Sequence, residues 1–129
     1  MRIEGLDHLV LTVSDIGRSC DFYERVLGVE HVVFGEGRHA LAFGAQKINL
    51  HEAGREFEPK AAVPTPGSAD LCFWTRTPPE DVIGHLRATG VDVEEGPVER
   101  TGARGSLVSV YLRDPDGNLI EVSNYRQEA

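Results

Sequence analysis

Four side chains combine a donor type with a spacing suited to holding a cation. They are His8 in "GLDHLVLTVSD", His51 in "GAQKINLHEAG", Asp70 in "SADLCFWTRT" and Glu121 in "NLIEVSNY". Imidazole and carboxylate are borderline-to-hard donors that suit Mn, Fe, Ni, Zn or Mg. Each stands in a short run that alternates polar and apolar residues, as a strand with one buried face does. His8, Val10 and Thr12 share one face against Leu9, Leu11 and Val13; Asp70, Cys72 and Trp74 oppose Leu71 and Phe73; Glu121 lies between apolar Ile120 and Val122. Asn49 sits two residues before His51 on the same face, so either can offer the donor from that strand. The simpler reading, a solvated polar face, would expose the apolar side of Glu121's strand to keep the carboxylate in water.

These runs need elements to hold them. "DIGRSCDFYERVLG" predicts a helix with Asp15 as N-cap, a stripe of Ile16, Cys20, Tyr23 and Leu27, and Gly28 as its left-handed stop. Three strand-like runs follow: "VEHVVF", "HALAFG" and "KINLHE". The second half repeats the order. After "SADLCFWTRT", "TPPEDVIGHLRATG" predicts a helix opened by a Thr77–Glu80 capping box and closed at Gly90. "VDVEEGP", "SLVSVYLRD" and "NLIEVSNY" are the remaining strands, the last two joined by the turn "DPDGN". The fold class is therefore α+β: two βαβββ modules, residues 3–53 and 68–126, joined by a Pro- and Gly-bearing linker over 54–67. A duplication in so short a chain implies pseudo-symmetry, with two sheets jointly enclosing a space. Laying one half on the other places His8 on Asp70 and Asn49 on Glu121.

"LDHLVLTVSDIGRSCDFYERVLGV" resembles the opening of the vicinal oxygen chelate superfamily, which includes glyoxalase I, extradiol dioxygenases and fosfomycin resistance proteins. "YLRDPDGNLIEVSNY" resembles its closing hairpin, whose Glu is a metal ligand. More narrowly, "KINLHEAGREFEPKAAVPTPGSADLCF" and "EEGPVERTGARG" are similar to glyoxalase domain-containing protein 5 and its bacterial relatives. The resemblance implies a single domain of this superfamily whose two βαβββ modules form a U-shaped cleft, a divalent metal (Zn, Ni, Mn or Fe) in that cleft, a small-molecule substrate and a homodimer. His8 and Glu121 match family ligands. Asp70 stands where the family usually has His, and Asn49 where glyoxalase I often has Glu, which weakens a claim to the glyoxalase I reaction. The expected metal set is His8, His51, Asp70 and Glu121, with Glu121 and His51 also placed to move a proton.

Arg38, His39, Lys47, Arg100 and Arg104 are basic residues on loops or strand ends of an acidic chain, and "RTGARG" resembles a loop over the site that holds an anionic group. Substrate contacts are expected from Arg104, Trp74, Tyr111 and Asn49. The leading function is a metal-dependent enzyme with lyase, isomerase or transferase chemistry on a small oxygen-bearing substrate. A binding protein that sequesters a small molecule or antibiotic without catalysis is the alternative.

The totals exclude other classes. A formal net charge of −8 over 129 residues gives no basic face for nucleic acid or anionic membrane. No apolar run approaches the ~20 residues of a membrane span. The amino terminus lacks the pattern of a signal peptide, so a cytoplasmic location is expected. The 2 cysteines, outside any CxxC pair, are expected as reduced, partly buried thiols.

Overall fold

The computed structural model describes residues 1–126 and divides into two compact units, residues 1–67 and residues 68 onward. Unit 1 runs β1 (His8–Val13), α1 (Ile16–Leu27), β2 (Glu30–Phe34), β3 (Arg38–Phe43) and β4 (Gln46–Glu52). Unit 2 runs β5 (Asp70–Trp74), α2 (Pro79–Ala88), β6 (Glu95–Thr101), β7 (Ser106–Arg113) and β8 (Leu119–Tyr125). Each unit is a four-stranded mixed sheet, in the orders β1-β4-β3-β2 and β5-β8-β7-β6. The predicted α+β class and duplicated βαβββ order are both present.

The register makes the internal repeat explicit. β1 pairs parallel with β4, setting Val10 beside Asn49 and Thr12 beside His51. β5 pairs parallel with β8 in the same way, setting Cys72 beside Glu121 and Trp74 beside Ser123. Partners in register share a face, so alternation carries the polar set to one side of each sheet. The opposite side builds the core. In unit 1 Leu11, Val13, Leu41, Ile48 and Leu50 are buried with Cys20, Phe22, Tyr23 and Val26 of α1. In unit 2 Val110, Leu112, Ile120 and Val122 are buried with Val82 and Leu86 of α2. Fully burying a side chain of this kind contributes about 1.5–3 kcal/mol, which fixes which face turns inward.

α1 starts as expected: Asp15 accepts from Arg18 N at 2.8 Å. It stops at Gly28, whose φ of 68° lets its N–H reach back to the last carbonyls. The buried stripe is wider than predicted, with Ser19, Phe22 and Val26 joining Cys20 and Tyr23, while Ile16 and Leu27 are only partly covered.

Two expectations are corrected. The Thr77–Glu80 capping box does not form: α2 has Pro78 as N-cap with no side-chain cap, and Thr75 Oγ1 accepts from Thr77 N instead. Two successive prolines set the entry, so Pro78 O meets the first helical N–H groups of Asp81 and Val82. The sixth strand occupies Glu95–Thr101, overlapping only the last three residues of the expected "VDVEEGP". Its pairing to β7 is irregular between Glu95 and Val98, where Gly96 has φ 120° and a Cβ would lie 2.5 Å from Ser109 O. Only glycine fits there, and the strand continues beyond it toward Thr101.

The "DPDGN" turn is built as its chemistry demands. Gly117 takes φ 86°, and Asp114 Oδ1 accepts from Asp116 N and Asn118 N, both at 2.9 Å. Asn118, fully buried, donates to Asp114 Oδ2 and accepts from Ala69 N at 2.9 Å, which ties the start of β5 to the hairpin.

Candidate functional site

On the polar face of unit 1, His8 lies at the start of β1 with its ring partly exposed. Its Nδ1 is 2.8 Å from Asp7 Oδ1. A carboxylate accepting from Nδ1–H leaves the Nε2 lone pair for a cation, the usual arrangement of a ligating histidine. Asn49 and His51 are both buried, with Asn49 Oδ1 lacking a hydrogen-bond partner among the described residues. A buried orphan acceptor is costly unless something supplies a positive partner.

His51 has a different environment from the one expected. Arg38 Nη2 donates to its Nε2 over 3.5 Å, and Phe57, from the segment after β4, tilts over the ring at 5.8 Å. Arg38 stacks on Phe57 and Phe34 at 4.8 and 5.2 Å. Burial first and the Arg38 charge second hold His51 below the ordinary histidine pKa, against opposing pulls from Glu56 and Glu58. Its Nε2 therefore serves a guanidinium, which opposes a cation at the same atom.

This shift sets the pH dependence. His51 binds a proton less readily folded than unfolded, so its contribution to stability is complete above the unfolded pKa of about 6.5 and fades as pH falls through that value toward the lower folded pKa. Urea titrations from pH 7 to 5 should show the native chain losing more stability than His51→Gln. Parallel curves for the two proteins would refute it.

Unit 2 gathers a denser set around Glu121. Tyr111 lies opposite it on β7 and Cys72 beside it on β5. Ser109 Oγ donates to Glu121 Oε2 at 2.5 Å, Ser123 Oγ lies 3.3 Å from the same oxygen, and the two hydroxyls are 2.7 Å apart. Hydroxyl pairs of this kind orient a ligating carboxylate. Burial foremost raises both the Cys72 thiol and the Tyr111 phenol, and the Glu121 charge adds to each shift. Both cysteines are free; Cys20 is buried as expected, whereas Cys72 is exposed. Its thiol meets Ser123 Oγ at 3.3 Å.

Glu121 opens into a cavity of about 330 Å³ walled by Cys72, Trp74, Tyr125 and the 101–103 segment. A second cavity of about 730 Å³ shares Trp74 and Tyr125 and adds Arg76, Arg104 and Arg126. Arg104 stacks on Tyr125 at 4.4 Å and Trp74 at 5.2 Å, and Arg76 lies 5.1 Å from the Trp74 ring. The structure thus brings Arg104 and Trp74 together in one wall. Tyr111 lies elsewhere on the face, its hydroxyl accepting from Arg100 Nε at 2.9 Å. Asp70 heads β5, in register with Leu119.

Sequence reading missed Ser109, Ser123, Arg76 and Tyr125. A signal existed for the serines, since both interrupt apolar strands on the face that carries Glu121. None existed for the cover that Arg38 and Phe57 place on His51. The Glu121 carboxylate of unit 2 and, separately, the Asp-backed His8 imidazole of unit 1 are each a donor type that suits a borderline divalent ion.

Residues 5–122 match the Glyoxalase/Bleomycin resistance protein/Dioxygenase superfamily. The chain is 62% identical over 125 residues to Virulence protein STM3117 of Salmonella typhimurium, covering 97% of this chain and 87% of that one. The crystal structure of the Salmonella protein matches with a TM-score of 0.96 at 61% identity, over 98% of this chain and 100% of the other. Glyoxalase domain-containing protein RDO1 of Mycosarcoma maydis is 56% identical, over 98% of this chain and 71% of the relative. Metallothiol transferase FosB of Bacillus licheniformis is 30% identical, over 94% of this chain and 75% of the relative. With the duplicated βαβββ plan and its polar sheet faces already in view, this chain belongs to the glyoxalase/bleomycin resistance protein/dioxygenase superfamily.

Proposed function

We propose that the chain is a metal-dependent enzyme acting on a small anionic, oxygen-bearing substrate. The observation that carries this reading is Glu121, a carboxylate held at Oε2 by two hydroxyls and opening into a cavity. Asp70 and Glu121 of unit 2 would hold the ion, and the metallothiol transferase among the relatives supports a metal role. When bound, the ion supplies Lewis-acid polarisation of two adjacent substrate oxygens. Ser109 and Ser123 aim the Glu121 carboxylate and limit its rotation. Arg104 and Arg76, spread over Trp74 and Tyr125, bind the anionic end of the substrate. Glu121 is the better proton acceptor of the two expected, because His51 Nε2 faces Arg38. Lyase, isomerase and transferase outcomes all fit this arrangement, and the enzyme is read as a cytoplasmic homodimer. No helix among the described residues is long and apolar enough to cross a membrane.

A second reading is favoured by the wide arginine-lined cavity beside Trp74, which suits stacking and holding a ligand without chemistry. Elemental analysis and thermal melting separate the two. The enzyme reading expects a divalent metal in the purified protein, or a rise in melting temperature on adding manganese(II), that Glu121→Ala loses. Neither metal nor a rise would leave sequestration as the function.

A further inference from the structure

Unit 1 carries another set of donors on the helix-covered side of its sheet, away from Asn49 and His51. Cys20 of α1, His31 of β2 and His39 of β3 each bring one ligand atom to within 4.8 Å of the others. The two imidazoles are held by the sheet. His31 pairs with Leu41 and His39 with Val33, so the histidines are diagonal neighbours on one face. Their rings stack with centroids 5.0 Å apart, and His31 Nε2 lies 2.8 Å from His39 Nδ1. Cys20, buried, reaches them from one turn of α1, and Glu24 lies one turn further on. Glu24 Oε1 is 3.8 Å from His31 Nδ1, the ring nitrogen that points away from His39.

We propose that Cys20, His31 and His39 form a metal site for zinc or a similar borderline divalent ion, with Glu24 positioning the His31 ring. One thiolate and two imidazoles are a donor set zinc favours, and a carboxylate behind a ligating histidine is its usual support. On binding, the Cys20 S–H bond breaks, its proton passes to water and an S–metal bond forms; no electron changes hands. Bonds of about 2.0 Å at tetrahedral angles place nitrogen ligands about 3.3 Å apart, so the histidine rings part slightly on binding. Water completes the shell. The site uses none of the residues assigned to the enzyme reading and stands or falls independently of it.

Cobalt(II) is the probe, because a thiolate ligand gives it an intense near-ultraviolet charge-transfer band that imidazole and carboxylate do not. Cys72→Ser leaves Cys20 as the sole thiol, since the chain has 2 cysteines. The Cys72→Ser/Glu121→Ala protein should bind one cobalt equivalent with that band, and zinc should erase it. Adding Cys20→Ser should abolish the band, with circular dichroism confirming the fold. His39→Asn, at a partly exposed position, should weaken cobalt binding at least about 10-fold. A cobalt-titrated Cys72→Ser protein without the band would overturn the site, as would His39→Asn with unchanged affinity.

Discussion

Glu121→Ala is expected to weaken manganese(II) binding by at least about 100-fold, equivalent to about 2.7 kcal/mol, while leaving the secondary structure intact. Manganese is the suitable probe because oxygen donors suit it and a thiolate–imidazole cluster does not. The size of the loss follows from the preparation of the carboxylate. Ser109 and Ser123 already hold Oε2, so the native chain loses little side-chain freedom on binding. Removing the carboxylate leaves the two hydroxyls bonded to each other at 2.7 Å, which keeps the local cost to folding small. Ser109→Ala should produce a smaller loss, about 10-fold, because the ligand survives but its orientation does not. Calorimetric titration decides the matter, and a Glu121→Ala protein with native manganese affinity would remove Glu121 from the ligand set.

The largest stability effect is expected at Asp114, in the turn that ties the β7–β8 hairpin to the start of β5. Asp114→Ala should cost about 2–4 kcal/mol in urea unfolding, with no change in slope. One carboxylate accepts from Asp116 N, Asn118 N and Asn118 Nδ2, and both Asp114 and Asn118 are buried. Deleting it strands two donors of Asn118 away from water, and each unsatisfied buried group costs about 1–3 kcal/mol. The damage spreads to β5, because Asn118 Oδ1 holds Ala69 N at the entry to Asp70. Asp114→Asn keeps an acceptor at Oδ1 and should recover part of the loss. A change below about 0.5 kcal/mol in Asp114→Ala would show that the turn does not anchor the strand.

Much of this was legible before any coordinates. A period of two in "DHLVLTV", "KINLH", "DLCFW" and "LIEVS" fixes which side chains share a face, because successive strand residues must point to opposite sides. The repeat of βαβββ then follows from helix signals that recur between equivalent strands. Where the reading slipped, local signals were close competitors. Thr77 and Glu80 have capping-box spacing, yet two prolines settle the helix entry without them. "VDVEEGP" has strand character, yet the ladder to β7 begins at Glu95, because hydrogen-bonded pairing and not propensity decides where a strand lies.

The choice between Asn49 and His51 shows the boundary most clearly. The sequence by itself determined that both side chains lie on one face of β4, opposite the apolar pair Ile48 and Leu50. Only the tertiary structure decided how they differ. Arg38 comes from the neighbouring strand and Phe57 from a segment six residues beyond His51, and together they cap its imidazole and claim its Nε2. Asn49, two residues earlier, is left with a buried acceptor unmatched. Alternation reports direction, a property of the local backbone. The partner of an atom depends on which distant residues packing brings to it, and no local pattern encodes that.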